Sequence, residues 1–136
     1  MALMDGWCVA LDWVDTRWRD GLQAPALALL ADGQCHGGLL LGEWQPMAAL
    51  QGKDWSAQTC SVTVNGAGPQ VFTGTHSLGD PAWLLAGWLQ HVARAHGSVP
   101  AGTVVTTGTW CGCVQLQAGD RFQAEFAGLG QLGWQF

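Results

Sequence analysis

Tyrosine is absent, and charge is scarce: charged side chains make up 11% of the 136 residues. With so few charges to solvate the surface, part of it is expected to be covered by another subunit. Five residues are Lys or Arg against ten Asp or Glu, a formal net charge of −5. No basic cluster stands ready to neutralise phosphates, which argues against a nucleic-acid binder. Long apolar runs are missing too. LALLA (27–31) and GGLLLG (37–42) fall far short of the ~20 residues that a membrane-spanning helix needs. The N-terminal MALMDGWCVALDW has no basic segment and does not read as a secretory signal, so the cytoplasm is the expected compartment.

The five cysteines, Cys8, Cys35, Cys60, Cys111 and Cys113, are odd in number and irregularly spaced. They do not form a disulfide framework. Cys111-Gly-Cys113 is spaced too closely for paired zinc ligands, and these cysteines read as small packing residues.

What is present fits one compact domain over residues 1–136. Apolar residues make up 49% of the chain, and nine are Trp. Trp is costly to expose, so several are expected in the core or at an interface. Residues 8–18, CVALDWVDTRW, read as a strand entering a charged turn. Residues 26–31 fit either helix or strand, and 37–42 fit a short buried strand. Two β-rich runs in 58–74 flank Asn65-Gly66, a dipeptide suited to a tight hairpin turn. Asp80-Pro81 opens a helix, along which Trp83, Leu84, Trp88, Leu89 and Val92 recur at helical spacing. Gly97 ends it. Residues 102–109, 114–117, 118–126 and 132–136 read as strands between glycine turns.

Taken in order, LGDPAWLLAGWL (78–89), VPAGTVVTTGT (99–109), AGDRFQAEFAGLG (118–130) and LGWQF (132–136) resemble the C-terminal part of the fumarylacetoacetate hydrolase superfamily. The 2-keto-4-pentenoate hydratase and 4-oxalocrotonate decarboxylase branch is the most similar. Upstream, ALDWVDTRW (10–18) and ADGQCHGGLLLG (31–42) are similar to that branch's A-L-E and D-N segments. The resemblance implies a shortened, β-rich α+β fold, a mixed β-roll with one main helix over 81–96, dimeric or higher. It also implies a Mg²⁺ or Mn²⁺ ion held by three carboxylates. That metal would bind a small 2-oxo acid and polarise its keto group for hydration or decarboxylation.

Departures from the family pattern are concentrated where its chemistry sits. The E-x-E pair that supplies two metal carboxylates occurs nowhere in this sequence. The third ligand position matches Asp12. The family's catalytic lysine aligns near Pro25, whereas the chain's only lysine is Lys53. An acidic position aligns near Ala28, and the Asn of the D-N motif is Gly33. Gly108 and Thr109 match the corner that borders the substrate pocket, but Trp110-Cys111-Gly112-Cys113 does not continue the match.

Each surviving residue carries two readings. Asp12 is a metal ligand or a partner of a turn or of Arg17. Asp15 and Arg17 suggest a structural ion pair. Asp32 is a substrate contact or part of an ordinary turn. Thr109 is a substrate contact or a strand-end hydrogen bond, and His76 meets the pocket or is solvated in its loop. His91 and His96 suit the helix C-terminus. Three functions follow: a relative that has lost catalysis but binds a 2-oxo acid or a partner enzyme; a metal-dependent enzyme completed by another chain or an upstream segment; and an association module without a ligand.

Overall fold

The computed structural model describes residues 3–136. In chain order the elements are β1 (Gly6–Trp7), β2 (Ala10–Val14), α1 (Ala26–Ala31), β3 (His36–Leu41) and β4 (Gln45–Pro46). They continue with β5 (Thr59–Val64), β6 (Gln70–Thr73), α2 (Leu85–His96), β7 (Arg121–Phe126) and β8 (Gly130–Gln135). The main sheet is antiparallel in the order β6-β5-β7-β8, and two small ladders pair β1 with β4 and β2 with β3. No helix among the described residues is long and apolar enough to cross a membrane.

Alternation along β5 and β7 builds the core. Register pairs Cys60 with Phe126, Val62 with Ala124 and Val64 with Phe122, so these six side chains share one sheet face. Cys60, Val62 and Phe122 are buried there together with Trp110 from an irregular segment crossing that face. Trp110 is the one buried tryptophan. Trp13, Trp18, Trp44, Trp83 and Trp134 are exposed, so an interface is the remaining part of the expectation for the Trp set.

The hairpin turn is as its chemistry dictates. Asn65 and Gly66 have φ of 53° and 74°, and Ala67 N–H donates to the Val64 carbonyl at 3.0 Å, a turn that matches the twist of the strands. Asn65 is locked further by its amide donating to Asp120 and its carbonyl accepting Arg121 N–H.

Three local expectations are corrected. The main helix begins at Leu85 rather than at residue 81. Asp80 Oδ1 accepts the Ala82 N–H at 2.8 Å and its carbonyl accepts the Trp83 N–H at 3.1 Å, which closes a separate turn before the helical ladder starts. Residues 102–109 and 114–117 join no sheet. Their β-branched content favours extension, but a strand also needs a partner for its backbone groups. The run at 37–42 does form β3, yet its leucines are only partly covered. Residues 26–31 resolve as the helix α1.

The molecule exposes 9297 Å² of surface, whereas a folded monomer of its mass exposes about 6,800 Å². Helix α2 explains part of the excess: none of its residues is fully buried, and its apolar stripe borders a cleft instead of packing tightly on the sheet.

Candidate functional site

The cleft has a volume of about 1610 Å³ and lies between β2, the 80–89 segment, the irregular 99–118 segment and the apolar sheet face. Its walls are mostly apolar, with Leu11, Trp88, Leu89 and Phe122 among them. Among the described residues its charged lining consists of Asp5, Asp12, Asp15 and Asp80, with no Lys, Arg or His. A bare carboxylate ligand would therefore meet like charge. Asp12, Gly108 and Thr109 line this cleft, whereas Asp32 and His76 do not.

His76 instead builds the corner from behind. It is 4% exposed, which corrects the reading of a solvated loop histidine. Its Nδ1 accepts the Leu78 N–H at 3.2 Å, so Nε2 carries the proton and donates to the Thr107 carbonyl at 2.9 Å. The ring also packs on Trp110, with centroids 4.8 Å apart. Thr75 reinforces the clamp by donating its hydroxyl to the Trp110 carbonyl at 2.6 Å. Gly108 is required at this spot: its φ is 125° and a Cβ there would lie 2.8 Å from His76 Nε2. Beyond it, the Thr109 hydroxyl accepts the Cys111 N–H and donates to the Gly112 carbonyl. Thr109 thus shapes its own turn while lining the cleft. The indole N–H of Trp110 is buried without a partner, a cost of about 1–3 kcal/mol.

Asp12 faces His36, whose Nδ1 stands 3.2 Å from Asp12 Oδ1. A register shift between Trp13 and Val14 sets Val14 opposite His36 and leaves Gly37 unpaired. That bulge turns His36 to the face of Asp12. A side chain at Gly37 would press on Asp15 Cβ and the Trp13 carbonyl, both 2.9 Å from the position of its Cβ. No three His, Cys, Asp or Glu side chains among the described residues stand together so as to hold a metal ion. A hard divalent cation prefers about six oxygen ligands, and one carboxylate beside an imidazole does not supply that set. The donors present do not fit the family's metal.

Arg17 pairs with Asp32, not Asp15, at 2.9 Å. Arg17 N–H also donates to Asp32 Oδ2 at 3.0 Å. These bonds, the backbone one foremost, hold the Asp32 carboxyl below its usual range. A folded-state pKa below the unfolded value stabilises the fold above the unfolded pKa of about 4, and the contribution is lost as pH falls through the folded value. Asp32→Asn is therefore expected to lower Tm at neutral pH, with the gap to the parent protein narrowing below pH ~4. Thermal melts across that range check it; a gap independent of pH would refute the role.

Sequence reasoning gave Cys60 and Cys111 only a packing role. Cys60 is 1% exposed at the centre of the sheet face, and Cys111 packs against its cluster. Both border the cleft. The Cys60 thiol is the main influence that pulls the Cys111 pKa down to about 6, against the opposing effect of burial. Cys111, with burial, pushes Cys60 up. Nothing in the sequence signals this pair, since 51 positions separate the two residues.

A four-stranded antiparallel sheet, with one apolar face crossed by an irregular corner and flanked by a single long helix, defines a β-rich α+β fold. The model of the fumarylacetoacetate (FAA) hydrolase C-terminal family matches residues 1–136, and the chain belongs to that family. Two solved structures of 4-oxalocrotonate decarboxylase from Pseudomonas putida G7 share the fold at 22% identity over 97% of this chain. One, complexed with calcium and acetate, superposes with a TM-score of 0.75. The other, complexed with magnesium and adipate, gives 0.78. This chain spans about half of their length, 48% and 49%.

Proposed function

We propose that this chain is a scaffold member of the family that acts by association with a second copy of itself, and that it does not turn over 2-oxo acids on its own. The carrying observation is the surface. The exposed 9297 Å² exceeds the monomer expectation by roughly 2,500 Å² per chain, or about 5,000 Å² over two copies, which falls at the upper end of obligate interfaces, roughly 2,000–5,000 Å² over both partners. The cleft, about 1610 Å³, is also larger than a small-acid pocket needs, since such sites run to roughly 300–1,000 Å³. Sedimentation equilibrium is expected to give a dimer or higher assembly, and Trp88→Asp, which places a charge in the cleft wall, to shift it to monomer. A parent protein that stays monomeric at every concentration overturns the proposal.

A second reading has its own support: Asp12 and the Gly108–Thr109 corner line one cleft. In an assembly that supplied further carboxylates, Asp12 would hold a Mg²⁺ or Mn²⁺ ion and the Thr109 hydroxyl would contact the acid. The ion would supply Lewis-acid polarisation of a keto group, as in a hydratase or decarboxylase. Calorimetric titration of either metal with oxalate separates the readings. The scaffold reading expects no binding heat at millimolar metal. Micromolar binding that vanishes in Asp12→Ala supports the enzyme and overturns the scaffold.

A further inference from the structure

We propose that Asn65 is a spontaneous deamidation site gated by the Asp120 carboxylate, and that conversion of its side-chain amide to an acid undoes the stitch between the β5–β6 turn and β7. Ring closure onto the following nitrogen is easiest when the next residue has no side chain, and Gly66 stands there. The turn is exposed. It lies outside the cleft, in a separate polar groove formed with Gly119, Arg121, Gln123 and Gln135, so its chemistry does not need the cleft to be open. Among the described residues no backbone acceptor takes the Gly66 N–H, which leaves the nucleophile free. The electrophile is held. Asn65 Nδ2 donates to Asp120 Oδ1 at 2.7 Å, and Asn65 Oδ1 accepts the Arg121 N–H at 2.9 Å. Asp120 is itself anchored, because its other oxygen accepts the Gln117 N–H at 2.8 Å. Asn65 N–H donates to the Arg121 carbonyl at 2.8 Å, which fixes the main chain as well. With the amide held at both ends, its carbon does not reach the Gly66 nitrogen until the charge-assisted bond to Asp120 opens.

The chemistry uses only water. The Gly66 nitrogen gives its proton to hydroxide and attacks the Asn65 side-chain carbonyl carbon. The new C–N bond closes a succinimide ring, the bond to Nδ2 breaks, and ammonia leaves with a proton taken from water. Water then adds to one ring carbonyl. Opening at the side-chain carbon gives aspartate, and opening at the main-chain carbon gives isoaspartate, whose backbone runs through the side chain. The sum is amide plus water to carboxylate plus ammonium, with no change of oxidation state. Asp120 does not assist. The Asn65 amide first, then the Gln117 N–H, hold its carboxyl below the usual range, so it has no proton to give the departing amine. Either product sets a second carboxylate against Asp120 where a donor stood. Isoaspartate also lengthens the backbone of a turn whose φ values of 53° and 74° suit two ordinary residues.

Native and guanidinium-unfolded protein are incubated side by side at mildly alkaline pH, and peptide mass spectrometry follows the amide-to-acid mass gain at Asn65. The native protein is expected to convert more slowly by at least roughly tenfold, the factor that one charge-assisted hydrogen bond carries. In folded Asp120→Ala the rate is expected to rise toward that of the unfolded chain. Equal rates in the native and unfolded parent, or a folded Asp120→Ala that converts as slowly as the parent, would overturn the gate. Thermal melts test the product, and they decide the matter if Asp120→Ala does not fold. Asn65→Asp is expected to lower Tm by about 5 °C at neutral pH. Adding Asp120→Asn should recover most of that loss, because the exchanged pair again sets one amide donor against one carboxylate. An Asn65→Asp protein as stable as the parent, or a double variant no more stable than Asn65→Asp, would overturn the stitch.

Discussion

Phe122→Ala is expected to cost about 3–5 kcal/mol of folding stability. The ring is 2% exposed and stands on β7 between Val64 of β5 and Trp134 of β8. It belongs to the cluster of Cys60, Val62 and Trp110, so its loss opens a cavity where sheet and irregular segment meet. Small domains hold roughly 5–15 kcal/mol in total, and the variant would retain only a marginal fold. Phe122→Leu keeps most of the volume and should cost less than about 1.5 kcal/mol. Urea unfolding followed by Trp fluorescence reads both values. A loss below about 1 kcal/mol for alanine would mean that this cluster does not organise the core.

Gly108→Ala is expected to cost about 2–4 kcal/mol through two separable effects. One is backbone strain at φ 125°, a region that residues with a Cβ avoid. The other is collision with His76, whose Nε2 lies 2.8 Å from where that Cβ would be while holding the Thr107 carbonyl at 2.9 Å. A double-mutant cycle divides them. In a His76→Ala background the collision disappears, so Gly108→Ala should cost markedly less there than in the parent. Equal costs in both backgrounds would leave only the strain and would remove His76 as the support of the corner. The family-like glycine is thus explained by a structural contact, independent of any substrate.

Local chemistry was legible wherever a feature depends on neighbours in sequence. Asn65-Gly66 announced the hairpin because both residues accept positive φ at little cost. Gly97, with φ of 79°, ended the helix as expected of a C-terminal glycine. Spacing alone showed the α2 stripe, but not the four-residue delay in its start, because Asp80 diverts the first N–H groups into its own turn.

Candidate site residues were legible as types and not as roles. Asp12 and Thr109 line the cleft. Asp32 is committed to Arg17 and His76 to Thr107 and Leu78, and no local pattern specifies partners 15 or 31 positions away.

By itself the sequence determined the family, the Asn65-Gly66 hairpin turn and the glycine that ends the main helix. Each of these follows from residue type and short-range spacing, and many weak collinear matches reinforce one another. The tertiary structure alone decided that the 102–109 run is left without a strand partner. It decided that a bulge turns His36 toward Asp12, that His76 underpins Gly108, and that Cys60 and Cys111 border one cleft. Those outcomes depend on which distant backbone groups pair and which side chains are then forced into contact, and long-range pairing is settled only by the packing of the whole chain.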